Sequence, residues 1–293
     1  MLPTDKLIKI TESPRDAQQG LPYTISPEKR AAFINALMKV GFDVIDAGSF
    51  VSSKAIPQMS SQDRVYKLID KSLGNSSIMA IVGNLRGGID ASLQEKLDIV
   101  GFPFSLSETF LRKNINSTIS KANKTISELS QVCNDTDKEL RIFISMAFGN
   151  PYNDRWEITE LKDQIARFVD LGIPTITLSD TIGAANSSMI TDLFEDLIPL
   201  WPEIEFGLHI HTKPNDWLKK IEAAWKSGCT SFDGVLNGIG GCPMTGYELL
   251  GNLNTSNLLE FIKSNNLPTK INESALNEAL KLSTEIYEFQ ELK

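Results

Sequence analysis

The sequence predicts an α/β fold, a TIM (β/α)8 barrel with additional C-terminal helices. Three observations carry that expectation. Short apolar runs of β type alternate with helical stretches along the chain, and eight such pairs indicate a parallel sheet closed on itself. A length of 293 residues suits one such barrel. The first strand is followed by Thr11-Glu-Ser-Pro-Arg-Asp16, without the phosphate-binding glycine turn that an open doubly wound sheet usually carries there.

The elements follow in order. Strands are expected at residues 7–11, 42–47, 77–82, 99–104, 140–147, 175–179, 205–211 and 231–236. Ser26-Pro27 starts a helix, with serine at the N-cap and proline at the first helical position. Ser61-Gln-Asp-Arg64 starts another. Residues 157–170 carry apolar side chains at helical spacing, ended by Leu171-Gly172, and 187–198 and 216–227 repeat the pattern. Two last helices are expected at 256–263 and 272–291. No linker or low-complexity segment divides the chain. Residues 1–293 are therefore read as one catalytic barrel domain, with 256–293 as a C-terminal helical extension.

Composition narrows the function. Hydrophobic residues make up 41% and charged residues 23%, as in ordinary globular proteins. A net charge of −8 gives no footprint for nucleic acid, although local basic groups can still meet an anionic substrate. No apolar run reaches membrane-spanning length, so no membrane partner is expected. Cys133, Cys229 and Cys242 are widely spaced and form neither a disulfide framework nor a CxxC zinc motif, which places the chain in a reducing cytoplasm.

Both histidines of the chain lie in one tripeptide, His209-Ile210-His211, at the expected end of the seventh strand. Residues i and i+2 of a strand share a face, so the two imidazoles can grip one divalent ion. Barrel enzymes collect their functional groups at this rim. The other strand ends supply Arg15, Asp16 and Gln19, then Asp46 and Ser49, then Asn150 and Tyr152, then Ser179-Asp180-Thr181. After the eighth come Gly238-Ile-Gly-Gly-Cys242-Pro243 and Asn252.

These motifs resemble those of the hydroxymethylglutaryl-CoA lyases, within the metal-dependent aldol and Claisen enzymes on TIM barrels. The resemblance runs through nearly the whole chain. It rests on Pro14-Arg15-Asp16-x-x-Gln19, Ser49-Phe-Val-Ser52 with Pro57-Gln58-Met59, Ser107-Glu108 with Lys113-Asn114-Ile-Asn116, Ser179-Asp180-Thr181-Ile-Gly183, His209-x-His211 and the glycine-rich loop bearing Cys242. That loop distinguishes the lyases from their synthase relatives. The resemblance implies divalent-metal-dependent cleavage of 3-hydroxy-3-methylglutaryl-CoA to acetyl-CoA and acetoacetate, with Mg²⁺ or Mn²⁺. It implies Asp16, His209, His211 and Asn252 as metal ligands, Arg15 against the developing enolate and Cys242 as the proton handler. Asp46 falls where the family has a glutamate, and Asp180 matches a family aspartate near the metal. An acyl-CoA substrate and a homodimer are the expected partners.

The chemistry explains why these residue types belong together. Breaking a carbon–carbon bond beta to a thioester requires loss of a hydroxyl proton, a lowered hydroxyl pKa and stabilisation of an enolate. A Lewis-acidic ion on carboxylate, imidazole and amide ligands meets the second need. A fixed guanidinium suits the enolate, and a thiol on a mobile glycine loop is a plausible acid. Asp46 and Asp180 are read as ordering groups, with capping of the next helix as the alternative. Gln19, Ser49, Asn114 and Tyr152 are candidate substrate contacts; for Asn114 the CoA arm and a solvated helix start are alternatives. Spacing leaves the hydroxyl base open.

Overall fold

The computed structural model describes residues 7–213, 215–240 and 250–287. Eight parallel strands close into a barrel in sequence order: β1 (Lys9–Glu12), β2 (Val44–Ser49), β3 (Ser77–Ile81), β4 (Ile99–Ser105), β5 (Glu139–Ser145), β6 (Thr175–Asp180), β7 (Glu205–Ile210) and β8 (Ser231–Gly234). β1 pairs with both β2 and β8, which seals the cylinder. All eight expected strands exist, with bounds moved by at most two residues.

Eleven α-helices are found among the described residues. They are α1 (Pro14–Gln19), α2 (Pro27–Val40), α3 (Gln62–Leu68), α4 (Leu85–Ser92), α5 (Glu108–Ile115), α6 (Ile119–Asp135), α7 (Ile158–Asp170), α8 (Ser187–Leu197), α9 (Trp217–Lys226), α10 (Thr255–Ser264) and α11 (Glu273–Tyr287). Side chains cap them where the sequence supplies a short polar residue. Ser26, Asn84, Ser107, Thr118, Asn186 and Asn254 each accept a backbone N–H from the first turn. Helix period then decides what is buried. In α7, Leu161, Ile165 and Phe168 fall on one stripe, and Phe168 meets Phe104 of β4 edge-on with ring centres 5.2 Å apart. No described helix is long and apolar enough to cross a membrane.

Inside the cylinder the two halves differ. Met79, Ile99 and Phe143 form an apolar cluster with Val44 and Ile81 on the β2–β5 side. Thr11, Arg141, Thr177 and Asp233 form a buried polar cluster on the β1, β5, β6 and β8 side. α11 lies against α2, with Tyr287 edge-on to Phe33 at 6.2 Å. It also reaches the rim: Gln18 Nε2 is 3.5 Å from the Tyr287 hydroxyl, and Asn237 Nδ2 donates to Ser283 Oγ at 2.9 Å.

Candidate active site

A cleft of about 160 Å³ opens at the carboxyl ends of the strands, lined by Arg15, Asp16, Gln19, Asp46, Ser49, Asn114, His209 and His211 among others. Most of the residues singled out from the sequence therefore meet in one place.

Arg15, Asp16 and Gln19 lie on a short helix. Pro14 at the first helical position starts the six-residue helix α1. Residues three and four apart on a helix are neighbours. Gln19 Nε2 thus donates to Asp16 Oδ1 at 2.5 Å, and Arg15 Nη1 donates to Asp16 Oδ1 at 2.7 Å and to Gln19 Oε1 at 3.1 Å. Arg15 also binds the neighbouring strand: Nε and Nη2 donate to Asp46 Oδ2 at 2.9 and 2.6 Å. Four of the five guanidinium hydrogens are engaged, so one on Nη2 remains for a further acceptor.

Asp46 and Ser49 face the cleft together because β2 is irregular. Strict alternation puts positions three apart on opposite faces. The register against β3 runs Asp46 to Met79 and then Gly48 to Ala80, leaving Ala47 as an extra residue. Such a bulge re-aims the following side chains. Gln62 braces it, with Nε2 3.4 Å from the Ala47 carbonyl and Oε1 accepting from buried Arg30 Nη2 at 2.5 Å. A Cβ at position 48 would stand 1.4 Å from Gln62 Nε2, so only glycine admits the brace.

His209 stands on β7, and His211 just beyond it in a bridge to Asn252. Backbone bonds lock that bridge: Thr212 N–H donates to Gly251 O at 3.0 Å, and Leu253 N–H to Ile210 O at 3.1 Å. The tautomers follow from the partners. His211 Nδ1 lies 3.2 Å from the Leu250 carbonyl, which can only accept, so Nδ1 carries the hydrogen. His209 Nδ1 lies 3.3 Å from Asp233 Oδ2, and an ionised carboxylate likewise only accepts. Both Nε2 atoms are then bare, and they face each other at 3.3 Å. Asp16 completes the set, with one donor atom from each of the three residues within 4.8 Å of the others.

The electrostatics match. Burial pushes the Asp16 carboxyl up, but Arg15 and the two histidines outweigh it and hold it at about 2. Burial, with His209 beside it, drops His211 to about 4. Burial acts against His209 as well, yet the hydrogen bond and charge of Asp233 raise it above an ordinary imidazole. Asp46 sits above the usual carboxylate range because burial outweighs Arg15.

The residues fit a divalent cation. Two imidazole lone pairs 3.3 Å apart repel unless a positive centre lies between them, and the gap is shorter than two metal–nitrogen bonds of about 2.1 Å each. Asp16 Oδ2 and Asn252 Oδ1 are buried without a hydrogen-bond partner among the described residues. Asn252 Nδ2 donates to Ile239 O at 2.9 Å, so the amide oxygen is the end left without a partner among the described residues.

Two candidates from the sequence take other places. Asp180 does not line the cleft: its carboxylate accepts the N–H groups of Ala184 and Ala185, both at 2.9 Å, and faces buried Lys220 at 3.7 Å. It shapes the loop after β6, whereas the cap of the next helix, α8, is Asn186. Tyr152 is also outside the cleft, with Lys113 Nζ 4.4 Å from its ring centre. Cys242 lies outside the described residues.

The cleft also holds residues to which the sequence assigned no role of their own. Ser179 and Thr181 flank Asp180 and point inward, because β6 and β7 pair Ser179 with His209. Asp233 and Phe143 line the floor. A charged residue within a short apolar strand, as in Ser231-Phe-Asp-Gly234, was the available signal for Asp233.

The comparisons with known proteins agree with this geometry. The HMGL-like family model matches residues 7–282. The chain is 32% identical to hydroxymethylglutaryl-CoA lyase YngG of Bacillus subtilis, over 96% of this chain and 93% of that one. It is 28% identical to (R)-citramalyl-CoA lyase of Chloroflexus aurantiacus, over 90% of this chain and 86% of that one. A solved HMG-CoA lyase from Acinetobacter baumannii, in complex with coenzyme A and 3-methylmalate, superposes with a TM-score of 0.88 at 27% identity, covering 96% and 91% of the two chains. A barrel carrying this rim, matched over nearly its whole length, belongs to the HMGL-like family.

Proposed function

We infer that the protein is a divalent-cation-dependent carbon–carbon lyase that cleaves 3-hydroxy-3-methylglutaryl-CoA to acetyl-CoA and acetoacetate. The observation that carries the reading is the pair of bare Nε2 atoms at 3.3 Å beside the buried, unpartnered oxygens of Asp16 and Asn252. Asp16, His209, His211 and Asn252 hold the cation, with Mg²⁺ or Mn²⁺ the best match to a mixed oxygen and nitrogen set without thiolate. The ion supplies Lewis acidity, which lowers the pKa of a substrate hydroxyl.

The chain's own groups perform the rest. Asp46 Oδ1 is buried with no hydrogen-bond partner among the described residues, and its raised pKa suits a base. It takes the proton from the tertiary hydroxyl. The C2–C3 bond breaks, C3 becomes the ketone of acetoacetate, and the electron pair moves into the thioester enolate. The remaining Nη2 hydrogen of Arg15 faces the enolate oxygen, inside a cleft where a charged donor counts for more than in water. Cys242 delivers the proton that turns the enolate carbon into the methyl of acetyl-CoA. Gln19 and Asp16 keep the guanidinium aimed, and Asn114 and Ser49 line the path of the acyl-CoA.

A second reading has a specific observation behind it: the citramalyl-CoA lyase is 28% identical to this chain. One assay separates them. The purified chain is given each acyl-CoA in turn, and acetoacetate and pyruvate are measured. Acetoacetate from 3-hydroxy-3-methylglutaryl-CoA supports the first reading; pyruvate from citramalyl-CoA alone replaces it with the second.

A further inference from the structure

Beneath the cation site the barrel interior holds a charge that the reaction does not use. Arg141 of β5 is only 2% exposed. Its Nε donates to Thr177 Oγ1 at 3.0 Å, its Nη1 to Thr11 Oγ1 at 2.9 Å, and its Nη2 faces Asp233 Oδ1 at 3.4 Å. Its Cζ lies 5.3 Å from the Phe143 ring centre. Position 207 of β7, two residues before His209, leaves room for it. A Cβ there would lie 3.3 Å from Arg141 Nη2 and 3.0 Å from Thr177 Oγ1. A desolvated guanidinium is costly unless it is fully paired. Two of the groups around it, Asp233 and Phe143, are also neighbours of His209: the carboxylate at 3.3 Å and the ring edge-on at 6.5 Å.

We propose that Arg141 is a positioning residue for the cation centre. It pins Asp233, and through Asp233 it sets the His209 ring with Nδ1–H on the carboxylate and bare Nε2 toward His211 and Asp16. The inference rests on the reading of these residues as cation ligands. The carboxylate of Asp233 is divided, with Oδ1 toward Arg141 and Oδ2 toward His209. Threonines from β1 and β6 hold the guanidinium, so the carboxylate cannot swing without breaking a bond in the closed interior. Without that anchor the His209 ring is free to turn, and the bare nitrogen loses its aim.

The test measures Mn²⁺ affinity of the full, cation-stripped chain by calorimetry and by the electron paramagnetic resonance signal of free Mn²⁺. Arg141→Lys keeps the charge beside Asp233 but lacks the planar fork, and it cannot serve Thr11, Thr177 and Asp233 at once. The expected result is a cooperative melt like the wild type and Mn²⁺ affinity reduced about 10-fold or more, in the range seen when partners of ligating histidines are removed. Adding Asp233→Asn to that variant is expected to cost less than Asp233→Asn costs the wild type, because both act through one ring. Affinity within about twofold of wild type overturns the proposal, since the loss expected is several times larger. If Arg141→Lys does not fold, Thr177→Val, which removes one hold on the guanidinium and keeps every charge, is read the same way. A wild type that binds no Mn²⁺ at a site sensitive to His211→Ala removes the cation reading and this proposal together. Wild-type binding with an unaffected Arg141 variant removes Arg141 alone.

Discussion

Asp233 holds the His209 pKa above the ordinary imidazole range, while burial and neighbouring His209 keep His211 neutral down to about pH 4. Below the His209 pKa a proton on its Nε2 competes with a cation for the same lone pair. Because the His209 pKa is raised, the competition begins above the ordinary imidazole range. Mn²⁺ affinity is expected to fall by about tenfold per pH unit below the His209 pKa, with one proton released per ion bound. Calorimetry in buffers of different ionisation enthalpy checks this. His211→Ala is expected to abolish stoichiometric binding, and Cys242→Ser to cut turnover strongly while leaving bound metal unchanged; metal analysis beside an acetoacetate assay reads both. Much of this residue set was legible in the sequence. His209-x-His211 announces itself through the two-residue period of a strand, and Asp16 and Arg15 through their motif. Asp180 was singled out through its match to a family aspartate, while Ser179 and Thr181 beside it received no role. The phase of β6, which depends on its pairing with β7, decides otherwise.

Among the elements, the strands were readable because parallel barrel strands are continuous apolar runs bounded by turns. Their bounds were not, since the first and last residues depend on neighbours. The six-residue α1 escaped notice because it is too short to show a period, and isolated helices of that length are unstable without tertiary contacts. The bulge in β2 was equally invisible. The side chain that braces it, Gln62, lies fourteen residues beyond Gly48 at the start of α3. Gly48→Ala tests its role. The added methyl displaces Gln62 Nε2 and takes an acceptor from buried Arg30. The expected cost is about 1–3 kcal/mol of stability, the range for a buried group left unpaired. Turnover is expected to drop with Asp46 misaimed, while Mn²⁺ affinity stays, since Asp46 is not a ligand. Denaturant melts, kinetics and metal titration on one sample separate these effects.

For the molecule as a whole, Glu12 links the barrel to its last helices. Fully buried at the end of β1, it accepts from Leu236 N–H at 2.8 Å and from Thr255 Oγ1 at 2.5 Å. Burial pushes its carboxyl up to about 8, despite those two bonds. The folded chain therefore binds a proton that the unfolded chain, near 4.5, has lost. Stability from this group is present below pH 4.5 and is lost as pH rises toward 8, with a slope approaching about 1.4 kcal/mol per pH unit. Glu12→Gln removes the slope. Urea unfolding at pH 5.5, 7 and 8.5 is expected to show the variant gaining on the wild type as pH rises. A parallel loss in both chains would show that Glu12 is ionised throughout.

The central claim is that two imidazoles and a carboxylate hold one cation for carbon–carbon cleavage at the barrel mouth. The most direct measurement is acetoacetate release from 3-hydroxy-3-methylglutaryl-CoA by the chelator-stripped chain, before and after Mg²⁺ or Mn²⁺ is added. The account predicts no release before addition, then acetoacetate and acetyl-CoA in equal amounts after it. Undiminished release by the stripped chain, or none from the cation-loaded one, would contradict it.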